Sequence, residues 1–129
     1  MGYSRGGEED RRWAELVGAC ADVLPRQDGE LMRAVFVEGR SKREMGRLLG
    51  VDGRALRRRL EKLVQRVESP KFGFVRAHLS RMGPARRRVA VACVLHGRSL
   101  REAAAELGTP LNAVRRHMDA LHAMFEAGK

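Results

Sequence analysis

The chain has 129 residues, with 26 Lys and Arg against 16 Asp and Glu, a formal net charge of +10 and a pI near 11.1. Hydrophobic residues make up 43% of the chain, enough for a folded core, and the low aromatic share of 5% argues against a β-sandwich or barrel. No apolar run approaches the length of a membrane span or follows the first arginine as in a signal peptide. We therefore expect a cytoplasmic protein whose partner is a polyanion, with nucleic acid as the first candidate.

Cysteine usage agrees with that compartment. Cys20 and Cys93 are too few for a disulfide framework and are typical of small core residues in a reducing cytosol.

An internal repeat with an offset of 58 residues organises the chain, because Gly39–Glu44 (GRSKRE) recurs as Gly97–Glu102 (GRSLRE). The apolar positions on either side of this motif also agree at the same offset without a gap. We therefore predict two homologous modules, residues 9–68 (the first module) and 70–127 (the second module), preceded by a flexible tail at residues 1–8.

The first half of the first module predicts two helices. Apolar residues at helical spacing predict a helix over residues 13–24, which Pro25 ends. A second apolar group beginning at Leu31 predicts the next helix, which ends at Gly39.

Helix start and stop signals define two further helices in the first module. Ser41 and Glu44 have the spacing of a capping box, which opens a short helix that Gly50 ends. Asp52 is a good N-cap for the last helix, whose apolar stripe continues to Val67.

The second module repeats these signals. Ser99 and Glu102 predict a capping box, Gly108 a helix end, and Thr109 an N-cap with Pro110 at the first helical position. No segment alternates with a period of two, so we predict no sheet. The expected fold is all-α, with two tandem helix-turn-helix modules of three to four helices each.

A short capped helix, a glycine turn and a longer basic helix are the parts of a helix-turn-helix. Gly46 and Ala104 supply the small residue needed where the two helices cross. Once the apolar stripe is set aside, the opposite face of each last helix carries candidate DNA-binding residues. They are Arg54, Arg57, Arg58 and Lys62 in the first module, and Asn112, Arg115 and Arg116 in the second.

These residue types suit a major groove, because arginine binds guanine through two hydrogen bonds and asparagine suits adenine. A basic face can also be merely solvated, but the same arrangement occurs here at matching positions in both modules. Arg59 and Arg66 are expected to reach solvent or an acidic neighbour instead.

The stretch Leu24–Leu60 resembles region 4 of bacterial sigma-70-type factors. It has the leucine-proline start, the Gly-x-Ser-x-x-Glu box at Gly39–Glu44, a Leu-Gly-Val turn and a basic recognition helix. The resemblance covers this stretch of the first module and is weaker in the second. Met45 and Gly46 depart from the usual isoleucine-alanine pair, which should loosen the crossing of the two helices.

By this resemblance, Arg54, Arg57 and Arg58 fall on the positions that face the upstream promoter element, and RNA polymerase is a possible partner. The two modules leave no room for the domain that melts the downstream element, so an autonomous sigma factor is not expected. One chain would instead present two recognition helices to two half-sites. A sigma-like adaptor docking on RNA polymerase, and a phage-type DNA packaging or recombination accessory protein, remain as alternatives.

Charge divides unevenly along the chain, with a net +3 over residues 1–70 and +7 over residues 71–129. The run Arg86, Arg87 and Arg88, which the first module lacks, accounts for much of the difference. We therefore expect the second module to dominate phosphate contact and the salt dependence of binding.

Other chemistry finds little support in the sequence. The histidines lack metal-ligand spacing, since His117 and His122 are five residues apart and neither cysteine belongs to a C-x-x-C pair. No glycine-rich phosphate loop, nucleophile elbow or zinc motif occurs. We expect no enzymatic activity, no metal and no cofactor.

Overall fold

The computed structural model describes the backbone of residues 7–128 and the side chains of residues 11–128. The protein is 83% helical, which confirms the predicted all-α fold of tandem helical modules. Across the described residues there is no strand, and no helix combines the length and apolar character needed to cross a membrane.

The chain divides into two compact units, Met1–Gln65 and Arg66–Lys129. The first unit contains the following helices and turns in chain order: α1 (Gly7–Cys20), a 3-10 turn (Ala21–Val23), α2 (Arg26–Met32), a π-helical turn (Arg33–Val37), α3 (Lys42–Leu49) and most of α4 (Gly53–Glu68). The second unit contains their counterparts: α5 (Pro70–His78), a 3-10 turn (Leu79–Arg81), α6 (Pro84–Ala90), a π-helical turn (Val91–Leu95), α7 (Leu100–Leu107) and α8 (Leu111–Ala127).

The 58-residue repeat of the sequence is also a repeat of the backbone. From the first 3-10 turn to the start of α4, every helix and turn recurs 58 residues later with the same bounds. Gly39 and Gly97 have φ of 74° and 70°, and Gly50 and Gly108 have φ of 66° and 62°. These left-handed glycines end corresponding helical segments, as their positions in the sequence predict.

The first helix begins and ends earlier than predicted. It ends at Cys20, and Leu24 is extended with ψ of 162° because the residue before a proline avoids the helical region. The predicted tail, residues 1–8, is partly helical, since Gly7 and Glu8 belong to α1 and the rest of it lies outside the described residues.

The start of the last helix in the second module is also corrected. Thr109 is not its N-cap, because its hydroxyl donates to the Leu107 carbonyl at 3.3 Å. Pro110 is the capping residue, with an extended ψ of 142°, so helical backbone begins only at Leu111.

Each unit has its own apolar core. In the first unit, Val17 on α1 and Leu31 on α2 are buried, and Trp13 meets Phe36 edge-on with ring centroids 5.7 Å apart. In the second unit, α6, α7 and α8 meet in a cluster formed by Val89, Ala92, Ala103 and Val114. Neither core buries a charged residue within the described part of the chain, so the charge of the protein lies at its surface.

Candidate nucleic-acid interface

The turn between α3 and α4 is fixed by local hydrogen bonds. The Ser41 hydroxyl accepts from the Glu44 amide at 3.0 Å and starts α3. Gly50 then adopts the left-handed conformation, which lets the Val51 amide donate to the Gly46 carbonyl at 3.0 Å. The Asp52 carboxylate accepts from the Arg54 amide at 3.2 Å and caps α4, as predicted.

Gly46 lies where α3 crosses α4. It is buried, and a Cβ atom there would lie 3.4 Å from the Val51 carbonyl oxygen and 3.7 Å from Leu56 Cδ2. These are ordinary contact distances, so the position accepts an added Cβ atom without displacing its neighbours. The structure therefore places the small residue Gly46 where the two helices meet, as the sequence predicts.

Helix α4 has one buried face and one cationic face. Leu56, Leu60 and Leu63 are 0–2% exposed and hold the helix against the rest of the protein. The four candidate residues of this helix are all exposed: Arg54, Arg57, Arg58 and Lys62. Within the part of the chain that the structure describes, none of the four forms an ion pair or a side-chain hydrogen bond, so their charges are available to a partner.

Two further arginines of α4 are used within the protein. Both Nε and Nη2 of Arg59 donate to Asp28 Oδ1, at 3.0 and 2.8 Å, which confirms the acidic neighbour expected for Arg59. Arg66 donates to the Leu95 carbonyl at 3.4 Å, a backbone partner that the sequence did not indicate.

A cationic groove between α3 and α4 was not predicted. It has a volume of about 550 Å³, and its basic lining residues are Lys42, Arg43, Arg47 and Arg57. The pKa of Lys42 is lowered, first by partial burial and then by the positive charge of Arg57. The sequence signal for this groove is a Lys-Arg pair followed by a third cation one turn later.

The second module presents a different set of side chains on α8. Val114 and Leu121 are buried, and the candidates Asn112, Arg115 and Arg116 are all exposed. This face therefore combines two positive charges with one amide.

The capping box at the start of α7 is complete. The Ser99 amide donates to Glu102 Oε1 at 2.8 Å, and the Glu102 amide donates to Ser99 Oγ at 3.1 Å. The bonds from the backbone and the hydroxyl of Ser99 lower the pKa of Glu102. In the first module Glu44 instead accepts from Arg40 at 2.8 Å.

The arginine run on α6 is not a uniform basic patch. Arg87 donates from Nε to the Leu79 carbonyl at 3.1 Å and from Nη2 to the Met82 carbonyl at 2.8 Å. Arg86 is half-buried, and its Nε is buried without a hydrogen-bond partner. Of the three predicted phosphate contacts, only Arg88 is both exposed and without a partner among the residues that the structure describes.

Exposed apolar residues gather at the end of α3 and were also missed. Leu48, Leu49 and Val51 are 67%, 47% and 39% exposed. Leu49 and Val51 line an open groove of about 690 Å³ together with Met45 and Leu31. Only the packed structure shows how much of each side chain is uncovered.

The histidines lie in local contacts of the second unit. His78 stacks on Phe74 with centroids 4.3 Å apart, and His122 Nδ1 is 3.2 Å from Lys71 Nζ. The described residues contain no cluster of three or more histidine, cysteine or carboxylate side chains suited to a metal.

Comparisons with family models, with curated proteins and with solved structures found no match to this chain. The resemblance to sigma region 4 therefore remains a prediction from the sequence.

Proposed function

We propose that this protein is a sequence-specific regulator of transcription in a bacterial cytoplasm, associated with the nucleoid, which binds double-stranded DNA through α4 and α8. The observation that carries the proposal is the row of exposed, unpaired cations on α4, opposite a buried leucine stripe and directly after a capped turn. A helix of this form can enter a major groove while the rest of its module holds it in place.

Each part of the interface then has its own role. Guanine edges or phosphates are bound by Arg54, Arg57 and Arg58, and adenine is bound by Asn112. Cations at the edge of the interface bind phosphates, which fix the register without reading sequence.

A second candidate is an adaptor that docks on RNA polymerase. It is favoured by the apolar side chains exposed at the end of α3, of which Leu48 is 67% exposed. Large contiguous apolar patches on a protein surface are typical of protein-binding sites. On this alternative the cations of α4 are incidental.

Charge reversal separates the two functions. The double variant Arg57→Glu/Arg58→Glu should weaken binding of the full chain to duplex DNA by about 100-fold or more, because repulsion replaces two groove contacts. Fluorescence anisotropy with labelled duplexes measures this effect, and Arg11→Glu/Arg26→Glu is the control of equal charge change on α1 and α2. Co-purification with core RNA polymerase is measured on the same variants.

The two readouts give opposite patterns for the two candidates. Loss of duplex binding with polymerase binding unchanged supports the regulator. Unchanged duplex binding after charge reversal contradicts it, and loss of polymerase binding in a Leu48→Ser/Leu49→Ser variant that still binds DNA favours the adaptor.

A further inference from the structure

The two modules can be compared position by position, because their backbones repeat at an offset of 58 residues. On α3 and the exposed face of α4, the first module carries seven cations. They are Lys42, Arg43, Arg47, Arg54, Arg57, Arg58 and Lys62. At the same positions the second module retains three cations, Arg101, Arg115 and Arg116.

The three α3 cations of the first module belong to one groove. Lys42, Arg43 and Arg47 line it together with Arg57 from the recognition helix. Its other lining residues include Gly50 and Gly53, where a Cβ atom would meet nothing within 4 Å. Open backbone between converging cations gives an anionic chain room for close approach.

The second module has lost this groove chemistry. Leu100, at the position of Lys42, packs against the apolar cluster of the second unit. Ala105 stands in place of Arg47, while both modules carry an exposed carboxylate at one matching position of the last helix, Glu61 and Asp119. Arg101 is the remaining cation of α7, and this helix has no second cation that could bind the same phosphate.

The larger net charge of the second half does not compensate for this loss. Much of that charge lies on α5 and α6, outside α7 and α8. Part of it is committed, since Arg87 bonds two backbone carbonyls of its own unit. Total charge therefore favours the second module as the main phosphate-binding module, whereas the cations around the recognition helix favour the first module in that role.

We infer that the two modules bind DNA unequally. The α3–α4 groove of the first module makes most of the phosphate contacts of the chain, and the second module contributes little to phosphate affinity. This inference rests on the proposed function. Its ligand is the phosphodiester backbone of double-stranded DNA, and it reverses the expectation drawn from net charge.

The salt dependence of binding tests the inference in the full chain. Anisotropy of a labelled mixed-sequence DNA duplex is followed between about 50 and 300 mM KCl, where each lost phosphate contact lowers the log–log slope by about one unit. The variant Lys42→Ala/Arg43→Ala/Arg47→Ala should lower the slope by about two to three units. The variant Arg101→Ala/Arg115→Ala/Arg116→Ala, which removes the three cations that the second module retains on α7 and α8, should lower it by less than about one unit.

The outcomes separate this inference from the function on which it rests. An equal or larger effect of the second-module variant on the slope overturns the inference that the first module makes most of the phosphate contacts, and it leaves the proposal of DNA binding standing. Failure of the wild-type chain to bind duplex at the lowest salt overturns both. Should circular dichroism show that the triple variant is unfolded, the single exposed substitution Arg47→Ala is used, for which the expected decrease is about one unit and an unchanged slope contradicts the inference.

Discussion

Arg87 is predicted from the sequence to contact phosphates, but in the structure it bonds backbone carbonyls of its own unit. Its guanidinium bonds the carbonyls of Leu79, the first residue of the 3-10 turn of the second unit, and Met82, the residue that follows this turn. The equivalent residue of the first module is Gly29, whose absent side chain leaves room for the Ala21 carbonyl to approach the helix. In the first module the turn therefore packs directly against the helix at Gly29, and in the second module it is hydrogen-bonded by Arg87 instead.

Substitution of Arg87 should therefore affect stability. Arg87→Ala should lower the free energy of unfolding by about 1 kcal/mol, since two carbonyls lose a charged donor and regain only water. Arg88→Ala, an exposed neighbour on the same helix, should change it by less than about 0.5 kcal/mol. Urea denaturation followed by circular dichroism measures both variants, and equal losses would contradict the assigned role of Arg87.

Residues whose role is local were predictable, and residues whose partner is distant in sequence were not. Gly50 and Asp52 act on their own turn, so spacing alone identified them. Arg87 bonds carbonyls five and eight residues earlier, across the extended backbone at Met82 and Gly83 that separates the 3-10 turn from α6. No short-range pattern in the sequence predicts these two bonds.

At the scale of helices, the two capping boxes differ in what holds the glutamate. Glu102 accepts from the Ser99 amide, whereas Glu44 accepts from the side chain of Arg40. Arg98, the equivalent of Arg40, instead faces Glu106 at 3.4 Å. The stability of the start of α7 therefore depends more directly on an ionised carboxylate than that of the start of α3.

This difference predicts a pH dependence for the second module. The pKa of Glu102 is lowered in the folded protein, so its stabilising contribution is present above the pKa of an unfolded glutamate, about 4.3, and is lost as the pH falls through the lower folded value. Glu102→Gln should therefore lower the Tm at pH 7 and have a smaller effect below about pH 3.

Thermal melts at a series of pH values measure this effect. Glu106→Gln removes a carboxylate from the same helix without breaking a bond to the backbone, and its effect on the Tm should be smaller. A Tm difference for Glu102→Gln that stays constant down to about pH 3 would contradict the account.

The type of each helical segment was less predictable than its existence. Apolar spacing identified the region after Leu31 as helical, but Arg33–Val37 is a π-helical turn, as is Val91–Leu95. Closely spaced apolar residues fit either winding, so periodicity alone does not distinguish them. The shift from Thr109 to Pro110 as cap has a similar origin, because both residues are good start signals and only the backbone angles decide.

For the whole molecule, the all-α tandem fold followed from the repeat and from helix signals that agreed in both copies. The candidate site was only half predicted. Exposed residues on α4 and α8 could be read from their position opposite an apolar stripe, but the α3 cations and the exposed end of α3 depend on how two helices pack. Net charge does not by itself locate a binding face, because it also counts arginines that bind their own backbone, as Arg87 does.

The central claim is that this chain reads the sequence of double-stranded DNA. Selection of bound fragments from a pool of random duplexes by the full-length protein tests it most directly, with Arg57→Glu/Arg58→Glu as the parallel sample. The account predicts an enriched site for the wild-type chain, with two parts at fixed spacing if both recognition helices contact bases, and its loss in the charge-reversed variant. Recovered fragments indistinguishable from the starting pool, or the same site enriched by both proteins, would contradict it.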